Sequence, residues 1–180
     1  MPTPTILNNS SATMPASDQG LNSKRYTCVP RTLTFITRQN HVLLIKGGSD
    51  KKLWANLYNG IGGHVERGEN IRLSAIREVN EETGLVVQNL QYCGMISVDV
   101  SEETGVCIFV FKGESFEGEP LMSQEGILEW VHYDEMYKLP LVEDLYILLP
   151  RVLVFTTGME PFFGHFSYDH HGQLVITFEG

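Results

Sequence analysis

From Tyr26 onward, apolar and polar residues alternate in short runs that sort the chain into β-segments interrupted by two helical stretches. In TCVPRTLTFITR (27–38), Thr32, Thr34 and Ile36 fall on one face and Leu33, Phe35 and Thr37 on the other, which predicts a first strand. HVLLIK (41–46) follows a turn at Gln39-Asn40, and Gly47-Gly48-Ser49-Asp50 opens a polar loop ahead of Trp54 to Ile61. VVQNLQYCGMISVDV (86–100) and GVCIFVFKGE (105–114) read as two further strands. The second is nearly all apolar, as a central strand covered on both faces would be. ILEWVHY (127–133) predicts another strand, and HFSYDHHGQLVITF (165–178) a hairpin around Asp169-His170-His171-Gly172.

Two stretches follow the helical period instead. The first runs from about Asn70 to Glu82 and stops at Gly84, a residue suited to the position after a helix end. On an ideal helix, Glu78, Glu81 and Glu82 fall within an arc of roughly 100°. Leu73, Ile76 and Val79 fall opposite and are the expected core face. The second stretch, Glu143 to Phe155, is apolar, with Glu143 and Asp144 at its dipole-favoured start and Pro150 either near its first turns or at a kink. The fold class expected is α/β in the broad sense (α+β), one domain over 24–180 without internal repeats. Residues 1–23 are rich in Ser, Thr, Asn and Pro and poor in large apolar groups, which predicts a disordered tail. They lack the basic start and apolar centre of a secretory signal, and the absence of arginine before Arg25 argues against a transit peptide.

Composition narrows the function. A chain of 180 residues with 42% hydrophobic and 10% aromatic residues fits one globular domain. A net charge of −9 and a pI near 5.1 argue against binding polymeric nucleic acid through its backbone. No run approaches the ~18 apolar residues of a membrane span. Cys28, Cys93 and Cys107 are odd in number and lack metal-ligand spacing, so buried free thiols in a reducing, cytoplasmic compartment are expected.

The chemistry concentrates between Gly63 and Leu85, GHVERGENIRLSAIREVNEETGL. Three carboxylates at i, i+3 and i+4 repel one another unless a cation sits among them. A hard divalent ion with oxygen ligands, bridging to substrate phosphates, is one remedy. A solvated acidic helix face is the bland alternative. The fuller spacing decides between them. The stretch resembles the Nudix box, G-x5-E-x7-R-E-U-x-E-E-x-G-U with U aliphatic, and Gly63, Glu69, Arg77, Glu78, Val79, Glu81, Glu82, Gly84 and Leu85 match every fixed position.

The resemblance, which covers about residues 26–180, implies the Nudix fold, a mixed β-sheet sandwiched between α-helices with the box as a loop–helix–loop. It implies hydrolysis of a nucleoside diphosphate linked to another group. Glu78, Glu81 and Glu82 would bind Mg²⁺ (or Mn²⁺), Gly63 would offer a backbone carbonyl, and one of these glutamates or a later one would assist the attacking water. Arg77 and Glu69 would be structural, pairing to hold helix to loop. His64 would be a phosphate-side or solvent residue.

Outside the box, NGIGGHVERGE and PFFGHFSY resemble the oxidised-purine nucleoside triphosphatases of the MutT-like branch. That likeness implies that Asn59 contacts the purine and that Glu125, five residues before Trp130, binds metal or acts as base. It further implies that Glu143 and Asp144 read the oxidised base and that Leu141 stands where a stacking tryptophan would lie, one methylene and one aromatic ring away from the pattern. The expected activity is conversion of an oxidised purine (d)NTP such as 8-oxo-dGTP to monophosphate and pyrophosphate, by a monomer or homodimer acting on a small nucleotide. The alternatives are another nucleoside diphosphate derivative such as ADP-ribose, or a non-catalytic nucleotide sensor. No proline lies between Gly84 and Pro120, where ADP-ribose hydrolases usually carry one, and no SQPWPFP-like run follows the box. Sensor domains often lose box carboxylates, and here all three remain.

Overall fold

A computed structural model describes residues 20, 25–49, 54–121, 123 and 125–179. Apart from Gly20, the tail expected over 1–23 lies outside the described residues. The elements run β1 (Thr27–Arg38), β2 (His41–Gly47), β3 (Tyr58–Asn59), α1 (Ile71–Thr83), β4 (Gln88–Asp99), β5 (Thr104–Glu114), β6 (Gly126–His132), α2 (Leu145–Val154), β7 (Phe162–Tyr168) and β8 (Leu174–Glu179). A short 3-10 turn, Met136–Lys138, precedes α2.

One mixed sheet has the order β3-β2-β1-β5-β4-β7-β8, with β6 also paired to β2. β1–β5 and β4–β7 are parallel, and the other pairs are antiparallel. The apolar β5 is central, as its composition predicts. Strict alternation is absent from β1, where residues 34–37 are all buried. The reason is that both faces are covered. Phe35, Val42, Leu44, Ile96 and Val110 pack with Leu145, Leu148, Leu149 and Val152 of α2. The alternate positions Ile36, Leu43 and Ile45 pack with Ile61, Val79 and Leu85, on the side of α1. The expected sandwich of sheet between helices is thus observed.

The seam that builds the site is at β1. Its pairing with β2 is confined to Ile36–Arg38, so the earlier half of β1 keeps free backbone groups on that edge. The glycine-rich loop fills it. Thr34 N–H donates to Ile61 O (2.6 Å), Ile61 N–H to Thr34 O (3.0 Å), Thr32 N–H to Gly63 O (2.9 Å) and Val65 N–H to Pro30 O (3.1 Å). The box loop is therefore held as an added strand, and buried backbone groups that would otherwise be orphaned are satisfied.

Helix α1 is bounded as its sequence predicts. The Asn70 side chain accepts from Leu73 N–H at 3.0 Å, and Gly84 closes the other end with φ 71° and its N–H on Asn80 O. Its buried face differs from the expected one. Ser74, Ala75, Val79 and Thr83 are buried, whereas Leu73 is 53% exposed. The inward arc is centred between the small residues and the carboxylates, so Glu78, whose side chain is only 14% exposed, faces the protein rather than the water. Small side chains let the helix approach the box loop, where Ser74 Oγ donates to His64 O at 3.3 Å.

In α2, Pro150 is the sixth of ten residues, within its second turn. The cysteines depart from expectation. Cys93 is buried, and burial pushes its thiol up to about 12, but Cys107 is half-buried and Cys28 exposed because β1 begins at the rim of the sheet.

Leu148→Ala is expected to cost about 2–5 kcal/mol, since the side chain is fully buried against the sheet. Leu73→Ala should cost less than about 1 kcal/mol. Urea unfolding of both variants checks this contrast, and an equal loss in the two would refute the placement of Leu73 on the solvent side of α1.

Candidate active site

A cavity of about 710 Å³ opens where the box loop, α1 and the sheet meet. Gly63, Glu78, Glu81, Glu82 and Glu125 line one part of it, and Asn59 and Asp144 line it as well. Leu33 of β1 and Ile108 of β5, with Val142 ahead of α2, form an aliphatic wall. The structure thus gathers most of the expected site residues around one space. Two are not gathered. Leu141 is 4% exposed, packed in the core on the α2 side, and Glu143 faces solvent. Neither lines the cavity: the chain turns at 141–144 so that Val142 and Asp144 face it instead.

Arg77 ties the acidic wall together. Its Nη2 and Nε donate to Glu69 Oε1 and Oε2 at 2.7 and 3.1 Å, a two-pronged pair. Nη1 donates to Glu78 Oε1 and to Glu81 Oε2, both at 2.9 Å. Nη2 also reaches His64 O at 3.0 Å and Ser74 Oγ at 3.3 Å. Glu69 in turn accepts from Glu66 N–H at 2.7 Å. Arg77's hydrogen bonds, seconded by that amide, hold the Glu69 carboxyl down at about 2, and the carboxylates, Glu69 first, hold the guanidinium well above its ordinary range. Arg77 therefore neutralises part of the repulsion within the helix and fastens helix to loop. Glu69 and Arg77 themselves do not line the cavity.

Gly63 is shaped by the same packing. A methyl group there would run into the Glu78 carboxylate and displace it from its place beside Arg77. Its carbonyl accepts from Thr32 N–H and keeps a second lone pair. Carboxylate and carbonyl oxygens of this kind suit a hard divalent cation. Among the described residues no three His, Cys, Asp or Glu side chains already converge as a metal cluster, and Arg77 Nη1 bridges Glu78 and Glu81. The donor set fits the ion, because Arg77 engages Glu78 through Oε1 and Glu81 through Oε2, and each carboxylate has a second oxygen.

The second group of polar residues differs in character. Asn59 Oδ1 accepts from Gly60 N–H at 2.8 Å, which fixes the amide and leaves its NH₂ for another partner. Asp144 sits at the N-terminus of α2 but makes no capping bond with its side chain. Burial, chiefly, raises its pKa, and the neighbouring Glu143 charge adds to the rise. Arg31, Trp54 and the aliphatic wall were not expected from the sequence. Arg31 Nε donates to His64 Nε2 at 3.1 Å, and both line the cavity. The signal for Arg31 was its parity with Leu33, usable only once the face of β1 toward the site is known.

This geometry agrees with a sequence match: the NUDIX domain family covers residues 29–152. The chain belongs to the Nudix family. Over 145 residues it is 31% identical to the oxidized purine nucleoside triphosphate hydrolases of zebrafish (Danio rerio) and mouse (Mus musculus), covering 80% of this chain and 89% of each relative. Its backbone is similar to the MutT protein of Bacillus halodurans, with a TM-score of 0.71 at 28% identity, covering 84% of this chain and 97% of that one. The Nudix box thus accounts for the loop–helix unit, with Glu78, Glu81 and Glu82 at one cavity and the Arg77–Glu69 pair behind them.

The Glu69–Arg77 pair sets a pH signature. Because the folded-state pKa of Glu69 lies below its ordinary value of 4.5, the pair stabilises above that value, and the contribution fades as pH falls toward about 2. Arg77→Gln should therefore melt below the wild type at pH 7, with the gap narrowing in acid. A gap in Tm that stays constant between pH 7 and pH 3 would show that Glu69 draws nothing from Arg77.

Proposed function

We propose that this Nudix chain is a magnesium-dependent nucleoside triphosphate pyrophosphohydrolase that clears oxidised purine (d)NTPs, such as 8-oxo-dGTP, from the nucleotide pool. The observation that carries this reading is the joining, in one cavity, of the three helix glutamates Glu78, Glu81 and Glu82 with Glu125, the Asn59 amide and the half-buried Asp144. The names borne by the zebrafish and mouse relatives support the substrate class. Free thiols fit a reducing, cytoplasmic setting.

Glu78, Glu81, Glu82 and Glu125 with the Gly63 carbonyl would hold Mg²⁺, for which Mn²⁺ could substitute. The ion supplies neutralisation of the non-bridging phosphate oxygens and a lowered pKa for water. The rest is done by the chain. A glutamate of this set accepts the proton of the attacking water, whose oxygen bonds to phosphorus as the phosphoanhydride bond breaks. The products are a nucleoside monophosphate and pyrophosphate. Arg77 and Glu69 position the helix and touch no substrate. Asn59 presents its NH₂ to the base as a donor, and the Asp144 carboxyl beside it presents oxygen acceptors. Such a pair discriminates a base by the hydrogen bonds left unmade with the wrong one. Leu141 and Glu143 are left out of the contact set.

With Mg²⁺, the protein should release pyrophosphate from 8-oxo-dGTP in preference to dGTP, and chelation should abolish turnover. Glu82→Gln should lower kcat by about 10²-fold or more. Asn59→Ala and Asp144→Asn should raise KM for the oxidised nucleotide roughly 10-fold and erode the preference over dGTP. Turnover of ADP-ribose alone, or of no nucleotide, would overturn the reading.

A further inference from the structure

A nucleobase offers two large apolar faces, and a site that binds it must cover at least one. The aliphatic wall formed by Leu33, Ile108 and Val142 supplies methyl groups to one side. Among the described residues lining the cavity, Trp54 alone is a Phe, Tyr or Trp. It also lines a recess of about 140 Å³ that continues the cavity past Leu57 and Asn59. Its side chain is 46% exposed, so the indole is not consumed in core packing.

The backbone beneath it is fixed. Trp54 adopts φ 58°, the left-handed region that a bulky L-residue rarely enters. Its carbonyl accepts from Leu57 N–H at 3.0 Å, and Asn56 N–H donates to Gly47 O at 3.0 Å. Gly47 permits this turn, because a Cβ there would lie 2.6 Å from the Trp54 carbonyl oxygen. The turn against Gly47 thus fixes a half-exposed indole at the cavity that Asn59 also lines.

We propose that Trp54 is the stacking residue for the nucleobase, pressing on the face of the ring whose edge Asn59 contacts. This inference rests on the nucleotide reading above. It makes Trp54 a determinant of affinity for base-bearing ligands and leaves the phosphate chemistry to the glutamates.

The chain has two tryptophans, and the other, Trp130, is packed under Arg38, whose guanidinium carbon is 4.4 Å from the ring centroid. Trp130→Phe thus leaves Trp54 as the sole tryptophan fluorophore. Titrating that variant with 8-oxo-dGMP in Mg²⁺ should quench its emission saturably. By calorimetry, Trp54→Leu in the otherwise native chain should weaken 8-oxo-dGMP binding roughly 10-fold or more. Trp54→Phe should retain most of the affinity, and binding of base-free deoxyribose 5-phosphate should be unchanged by either. Affinity of Trp54→Leu for 8-oxo-dGMP within two-fold of the wild type, or an equal loss for the base-free sugar phosphate, would overturn the proposal. The two readings fail separately. Absence of triphosphate hydrolysis by the wild type would overturn the activity, while hydrolysis with an unaltered KM in Trp54→Leu would overturn only the stacking role.

Discussion

The arrangement of this site depends on one guanidinium. Arg77 engages Glu69, Glu78 and Glu81 at once and also reaches the His64 carbonyl. Without it, the glutamates of α1 would repel one another. With it, the helix can turn its acidic side inward at the level of Ser74 and Ala75, and the loop is held at a fixed distance from the helix. A planar donor with several fixed N–H directions can do this, whereas an ammonium group is a single point of charge.

The second constraint is backbone pairing along β1. One edge of that strand is shared between β2 near its end and the box loop near its middle, while the other edge runs in parallel with β5 over eleven residue pairs. Glycine at 63 leaves room for the helix carboxylate, which occupies the space a side chain would take. Sheet, loop and helix thus position the glutamates through contacts that do not involve substrate. The same seam places Arg31 and Leu33, two residues apart on β1, toward the cavity.

Much of this is legible in the amino-acid order, and the failures have physical causes. The strands, the Asn70 and Gly84 helix limits and the central place of β5 follow from local pattern and backbone chemistry, which travel with the sequence. Leu73 misleads because an amphipathic pattern assumes that every oily residue faces inward, and in α1 the inward arc holds Ser74, Ala75, Val79 and Thr83, next to the acidic site. Leu141 and Glu143 lie off the cavity lining because neighbouring residues point in different directions at a turn, and spacing alone cannot say which. Trp54 carries no periodic signal at all; its place depends on a left-handed turn against Gly47, a tertiary contact.

The two parts of the cavity have different origins along the chain. Most of the acidic wall comes from one continuous segment, 63–82, with Glu125 added from afar, while the remaining wall is assembled from residues near 33, 54, 59, 108, 142 and 144. The contiguous part is mutually dependent, since a change at one position is felt through Arg77 at the others. The scattered part lacks such a common tether, so its members can be exchanged one at a time. Divergence within such a lineage should therefore proceed by replacing what is recognised while how it is cleaved stays constant, and the cavity records that division of evolutionary freedom in its own walls.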